Sequence, residues 1–161
     1  MEEGKLSKKD IKIVIAAHKP YRMPEDTMYV PLHVGAEGKK NPDGTPLDLG
    51  YQKDNEGDNI SAKNPYYCEL TGIYYAWKNI PAEYLGLVHY RRYFKGKNKS
   101  KDPFACIVTE PEMEKIFETH RIVVPKKRKY YIETLYSHYA HTHYAEHLDC
   151  VREIIGEQCP D

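Results

Sequence analysis

The sequence predicts an α/β protein built on an open, mostly parallel sheet with helices on its faces. Two short apolar runs, residues 11–17 and 83–90, are typical of strands that are buried on both faces. Between them, from residue 65 onward, apolar side chains recur at helical spacing. Strand and helix patterns alternate along the rest of the chain, and such alternation favours an open α/β sheet.

The first strand leads into a long irregular segment. Pro20 ends this strand, because proline lacks the N–H group that a sheet ladder needs. The chain up to residue 63 is polar and rich in Pro and Gly, and only residues 28–34 are expected to form another short strand. A segment this long with so little regular structure is either a functional loop or a disordered one.

A helix and a strand are expected next. The helix covers residues 65–79, and either Ser61 or Asn64 is expected to cap its first turn. Pro65 suits the start of this helix, because its missing N–H would be unpaired there in any case. The strand at residues 83–90 follows.

The last third of the chain is expected to add two helices and one strand. Residues 111–119 should form a short helix that is capped by Thr109. Residues 121–125 contain the β-branched run Ile122–Val124 and end in proline, which is typical of a short strand. Residues 132–155 have the periodicity of one long helix.

Composition places the chain among globular proteins without a strong charge bias. Lys+Arg and Asp+Glu both total 24, so no net field draws the protein to nucleic acid or to an anionic membrane. The four cysteines show no C-x-x-C spacing, which fits free thiols in the cytoplasm. We expect residues 1–10 to be a flexible polar tail and residues 11–161 to form a single domain. The tail lacks the apolar stretch of a signal peptide, so membrane contact is expected to be peripheral.

Tyrosine is unusually frequent, with 15 residues. Its flat apolar ring and its hydroxyl suit stacking on a base or lining a sugar site. The alternative is a half-buried core, which is expected for most of these tyrosines.

Polar side chains follow both predicted buried strands. His89, Arg91 and Arg92 surround Tyr90 at the end of one strand, and His18 and Lys19 follow the other. Ligands of open α/β sheets bind beyond the carboxyl ends of the strands. An arginine fork matches phosphate oxygens, so this cluster suits a diphosphate group. The alternative is a set of salt bridges on a strand edge.

Two further clusters have more than one interpretation. Asp58, Asn59 and Asn64 lie just ahead of a predicted helix, where they could cap it or help its N–H groups to bind phosphate. His138 and His143 belong to a histidine-rich stretch that could donate to substrate or lie on the surface. Metal binding there is disfavoured, because the stretch has no H-E-x-x-H pattern.

Several motifs are absent from the sequence. There is no G-x-G-x-x-G after the first strand, which argues against a dinucleotide oxidoreductase. There is also no Walker loop, no G-x-S-x-G elbow, and no Asp-x-Asp after an apolar strand.

A set of motifs occurs in a fixed order along the chain: residues 12–19, 30–35, 58–61 with Asn64, 69–72, 77–79 and 84–94. Together they resemble a bacterial family of capsular and exopolysaccharide biosynthesis proteins, long catalogued as a domain of unknown function and regarded as glycosyltransferase-like. The resemblance covers nearly the whole chain after Ser7.

The resemblance implies a GT-A-like, Rossmann-related fold and hexosyl transfer from a nucleotide-diphosphate sugar, with a UDP-sugar as the expected donor. The acceptor would be a growing glycan or a lipid-linked glycan at the inner face of the plasma membrane. The implied donor-binding residues are His18, Lys19, Asp58, Asn59, Asn64, His89, Tyr90, Arg91 and Arg92.

Within that set, His18, Asp58 and Asn59 would face the nucleoside. The arginine pair would supply the charge that a metal supplies in Asp-x-Asp enzymes, so no cofactor is required; a divalent cation, Mn²⁺ or Mg²⁺, is the alternative. His138 and His143 would face the substrate. The resemblance assigns no catalytic residue.

Members of the family continue beyond residue 161, so the chain is expected to be incomplete and to bind donor without completing transfer. The alternative function is a non-catalytic module that binds carbohydrate or assists polysaccharide assembly. A third function, RNA binding through the basic residues 91–92, 95–101 and 126–129, is disfavoured by the zero net charge.

Overall fold

The computed structural model describes residues 8–159, so most of the predicted tail lies outside the described residues. The chain divides into two compact units, Met1–Val123 and Val124–Asp161. The first unit contains the sheet, and the second contains two helices. The single domain expected over residues 11–161 stays a prediction.

The first unit is built on a four-stranded parallel sheet with the order β3-β2-β1-β4, which confirms the predicted fold class. All four carboxyl ends therefore meet at one edge of the sheet. The strands are β1 (Ile11–Ala17), β2 (Tyr29–His33), β3 (Gln52–Lys53) and β4 (Tyr84–His89).

β1 is central and is buried on both faces. Ile13 and Ile15 point into one core, whereas Val14 and Ala16 point into the other. The near-continuous apolar sequence of β1 follows from this position, because neither face meets water.

Helices cover the two faces of the sheet. On one face lie α1 (Asn64–Tyr67) and α2 (Leu70–Asn79), and α2 packs Tyr75 and Ala76 against the sheet. α2 comes close because Gly72 has no side chain: a Cβ there would lie 2.8 Å from Val34 Cγ1. On the other face lies α3 (Glu110–Phe117), which contributes Met113 to the core.

A fully buried carboxylate, that of Asp54, holds the irregular segment after β2 in place. Its oxygens accept hydrogen bonds from the Gly35 and Ala36 N–H groups at 2.8 and 3.0 Å. The Ser61 hydroxyl also donates to it, and the Thr71 hydroxyl of α2 donates at 2.7 Å. One side chain thus joins three loop positions to the helix.

The predicted helix over residues 65–79 is divided in two. Cys68 adopts a positive φ of 48° between α1 and α2, which ends the first helix. Neither Ser61 nor Asn64 caps a helix, contrary to the expectation. The Ser61 hydroxyl donates a hydrogen bond to Asp54 instead, and the Asn64 amide donates to the Cys68 carbonyl at 2.7 Å.

The last third of the chain differs more from its predicted structure. Residues 121–125 do not form a strand, and Ile122 and Val124 are 78% and 72% exposed. The segment has strand composition, but no neighbouring strand pairs with it. The predicted long helix is two helices, α4 (Leu135–Ala140) and α5 (Glu146–Gln158). The helix over residues 111–119 is confirmed as α3, and the Thr109 N–H donates a hydrogen bond to the Glu112 carboxylate at 2.9 Å, as part of a capping box.

Within residues 8–159, no helix combines the length and the apolarity that spanning a membrane requires.

We expect Asp54→Ala to lower the free energy of unfolding by about 3 kcal/mol or more. Four buried donors would lose their acceptor, and each such group costs roughly 1–3 kcal/mol when it is left unpaired. Urea denaturation followed by circular dichroism measures the change. The matched control is Asp43→Ala, which removes an exposed carboxylate that bonds only within its own turn. Equal denaturation midpoints for the two variants would contradict the role of Asp54.

Candidate functional site

The candidate site lies where β1 and β4 end side by side. His18 follows β1 and Tyr90 follows β4, and their rings meet edge to face with centroids 5.2 Å apart. The Tyr90 N–H donates to the Ala16 carbonyl at 3.2 Å, which extends the pairing of the two strands by one residue. The sheet therefore brings together a histidine and a tyrosine that are distant in sequence.

Tyr90 is the centre of this cluster and is only 1% exposed. The His89 ring lies 4.3 Å from the Tyr90 ring, and the Tyr21 ring lies 5.1 Å from it. Two cations also approach the Tyr90 ring: Lys19 Nζ at 5.7 Å and the Arg91 guanidinium at 5.1 Å. Attraction between a cation and an aromatic face helps to hold both cations at this edge.

Three cations at this edge have no carboxylate partner among residues 8–159. Lys19, Arg91 and Arg92 are exposed, and none of them forms a salt bridge within residues 8–159. Arg22 provides the contrast, since its guanidinium is already bonded to both oxygens of Asp102 at 2.9 and 2.7 Å. The alternative interpretation, salt bridges on a strand edge, applies within residues 8–159 to His89, which lies near Glu69, and not to the three cations.

His89 begins a tight turn that places the two arginines. The Arg92 N–H donates to the His89 carbonyl at 2.8 Å, and the Arg91 N–H donates to the His89 ring at Nδ1, at 3.3 Å. The other ring nitrogen, Nε2, lies 3.8 Å from Glu69 Oε1. Burial lowers the pKa of His89; the Glu69 carboxylate opposes this shift, whereas Arg91, Arg92 and His18 reinforce it.

Asp58 and Asn59 are held away from this cluster. The Asp58 N–H and carbonyl both bond to the side chain of Asn79, the last residue of α2. Glu69, which approaches His89, precedes the first residue of the same helix. Because α2 has ten residues and is about 15 Å long, Asp58 and His89 lie near its opposite ends. Asn59 bonds to the Gly57 carbonyl and the Ser61 N–H.

Asn64 lies at the carboxyl edge of the sheet, but its contacts are with the loop that follows β2 and with α2. Gly35 has a φ of 65°, and a Cβ there would lie 2.4 Å from Asn64 Oδ1. Asn64 also donates to the Thr71 hydroxyl at 3.1 Å. The donor-binding roles of Asp58, Asn59 and Asn64 stay predictions, and all three have structural partners.

His138 and His143 lie in the second compact unit. His138 Nδ1 is 2.6 Å from Glu133 Oε1, and its ring stacks on Tyr130 with centroids 4.2 Å apart. The His143 ring lies 4.7 Å from that of Tyr139. Their substrate-facing role stays a prediction. Within residues 8–159, no three or more His, Cys, Asp or Glu side chains are grouped so that they could hold a metal ion.

Sequence reasoning missed two side chains at the site, Glu69 and Tyr21. Glu69 precedes a helix that returns to the next strand, and in such a unit the helix starts near the carboxyl ends of the strands. The order of helix and strand after Glu69 was visible in the sequence and could have indicated its position. Tyr21 follows Pro20 in a loop, and no local pattern indicates where its ring points.

The fold and the site define a GT-A-like α/β protein with a cationic cluster at the carboxyl edge of its sheet. The chain belongs to the family described as a domain of unknown function (DUF4422), which matches residues 12–161.

Among solved structures, the chain is similar to the apo structure of the bifunctional glycosyltransferase WbbM, with a TM-score of 0.78 and 29% sequence identity. The match covers 94% of this chain and 30% of that chain, so the protein spans about a third of the length of this neighbour. No curated protein matches the chain. The glycosyltransferase-like family that the sequence resembles is therefore supported by structure.

We expect the pKa of His89 to lie below the ordinary value of about 6.5, because burial disfavours the imidazolium. Glu69→Gln should lower this pKa further, since it removes the carboxylate that stabilises the charged ring. Arg91→Ala should raise it, since it removes a repelling cation. An NMR titration of the histidine ring protons measures all three values. Shifts in the reverse directions would contradict the placement of these neighbours.

Proposed function

We propose that the chain is the donor-binding domain of a glycosyltransferase that uses a nucleotide-diphosphate sugar. The observation that carries this proposal is a group of three exposed cations, Lys19, Arg91 and Arg92, at the carboxyl edge of a parallel sheet, none of which has a salt-bridge partner in the part of the chain that the structure describes. The structural similarity to a glycosyltransferase supports it independently.

The cations suit the chemistry of the leaving group. When the bond between the sugar and the diphosphate breaks, negative charge develops on the diphosphate oxygens. Arg91 and Arg92 are adjacent on one turn, and each offers a fork of N–H donors that matches phosphate oxygens. The pair would supply the charge that a metal ion supplies in other sugar transferases, so donor binding would not require Mn²⁺ or Mg²⁺.

Aromatic rings complete the proposed donor site. His18 and Tyr21 both lie against Tyr90 and are exposed on their outer sides. Such rings can stack on the base or on the sugar. A UDP-sugar is the donor we propose, and a growing capsular or exopolysaccharide glycan, free or lipid-linked, is the acceptor. The protein would then act in the cytoplasm, with peripheral contact to the inner membrane face.

A non-catalytic carbohydrate-binding module is the second candidate. The observation that favours it is a set of exposed aromatic side chains on α1 and α2: Tyr66, Tyr67 and Trp77 are 87%, 47% and 64% exposed. Such rings can stack on sugars without any nucleotide. Glycan binding in the absence of nucleotide affinity would favour this candidate over the first.

We expect Arg91→Ala to weaken nucleotide binding by about 10- to 100-fold, because a charge-assisted hydrogen bond contributes roughly 1.5–3 kcal/mol. Isothermal titration calorimetry with UDP, GDP, CDP and their sugars measures the dissociation constants, and a thermal-shift assay gives a parallel reading. The control is Arg121→Ala, which removes an exposed arginine outside the cluster.

EDTA should leave the affinity of the wild-type chain unchanged if the arginines replace the metal. The absence of nucleotide binding by the wild-type chain would overturn the proposed function. Equal affinities for the two arginine variants would overturn the placement of the diphosphate.

A further inference from the structure

Within residues 8–159, the carboxylate that lies near His89 of the cationic cluster is that of Glu69. Its Oε1 lies 3.8 Å from His89 Nε2. Glu69 directly precedes α2, but its side chain makes no capping hydrogen bond to that helix. The side chain is 47% exposed, so it keeps access to a ligand. Capping therefore does not account for the position of this carboxylate.

The hydrogen bonds of His89 determine which of its nitrogens carries the proton. The Arg91 backbone N–H points at Nδ1, and a backbone N–H can only donate. Nδ1 is then the acceptor, and the proton of the neutral ring is on Nε2. Neither nitrogen has a lone pair available to take a proton from a substrate, so His89 is not a general base in this arrangement.

We propose that Glu69 is the general base that accepts the proton of the acceptor hydroxyl. The inference rests on the proposed glycosyltransferase function and adds a catalytic residue to it. The Nε2–H group of His89 lies 3.8 Å from one carboxylate oxygen of Glu69, which is longer than a hydrogen bond, and the half-exposed carboxylate keeps access to the acceptor.

The chemical step is a direct displacement. The acceptor O–H bond breaks and its proton moves to a Glu69 carboxylate oxygen. The acceptor oxygen forms a bond to the anomeric carbon of the sugar as the bond from that carbon to the diphosphate oxygen breaks. The electron pair of the broken bond leaves with the diphosphate, whose charge the arginines neutralise. Water can replace the acceptor hydroxyl, and the reaction is then hydrolysis of the donor.

The test compares Glu69→Gln with the wild-type chain, with Glu118→Gln as the control for removal of an exposed carboxylate outside the site. The probes are the UDP-, GDP- and CDP-sugars, and the readouts are the rate of nucleoside diphosphate release and the dissociation constant of the nucleotide. We expect Glu69→Gln to lower the release rate by 100-fold or more, since general-base catalysis contributes about 10²–10⁴. The dissociation constant should stay within about threefold of wild type, as befits a group that does not bind the diphosphate.

Several results would overturn the inference. A release rate for Glu69→Gln within threefold of wild type would do so, as would a loss of rate in His18→Gln alone. If the wild-type chain binds the nucleotide but releases no nucleoside diphosphate from the sugar donor, the assignment of Glu69 as general base is wrong and the proposed donor site still stands. The absence of nucleotide binding would instead reject the proposed function on which the inference rests.

A second measurement does not depend on activity. Side-chain ¹⁵N NMR at neutral pH distinguishes the two neutral forms of a histidine, and His89→Gln identifies the signal. We expect the proton of His89 to lie on Nε2. A proton on Nδ1 would free Nε2 to act as the base and would overturn the assignment of Glu69.

Discussion

The part of the fold that carries the candidate site depends on the hydrogen bonds that the buried Asp54 carboxylate accepts. The segment between β2 and α1 has almost no regular structure, so its backbone N–H groups need partners from elsewhere. Asp54 supplies an acceptor to Gly35 and Ala36 and binds the Thr71 hydroxyl in α2. A long loop is thereby attached to the helix that leads to the candidate site. Its Pro- and Gly-rich sequence is that of an ordered loop rather than a disordered one.

The position of α2 then links the loop to the chemistry. Gly72 allows this helix to pack closely on the sheet, and its first residue lies beside the carboxyl edge. Glu69, just ahead of the helix, consequently faces His89 at the end of β4. Asp58 is held at the other end of the same helix by Asn79. One helix therefore decides which of the acidic side chains reaches the cationic cluster.

Tyr90 positions the residues at the ends of β1 and β4, as α2 positions Glu69. Its ring is buried, yet it has cations and aromatic rings around it, so it fixes the positions of groups that stay exposed. His18 and Lys19 come from one strand end and Arg91 from the other, and they meet because β1 and β4 are neighbours. Because these exposed cations have no carboxylate partner among residues 8–159, the proposed diphosphate would meet positive charge that is not already neutralised.

The sequence by itself determined the parallel α/β class, the positions of the strands β1 and β4, and the cluster around Tyr90. These features are local: apolar runs define the strands, and the residues that follow them must lie at the carboxyl edge. The expected burial of both strands is correct for β1 and wrong for β4, which lies at the edge of the sheet and buries only Val88. Tertiary structure alone decided the rest. Residues 121–125 have strand composition but find no partner strand, and Asp54 becomes a buried acceptor only when donors distant in sequence converge on it. Strand pairing and polar burial depend on which segments meet in space, and periodicity along the chain does not contain that information.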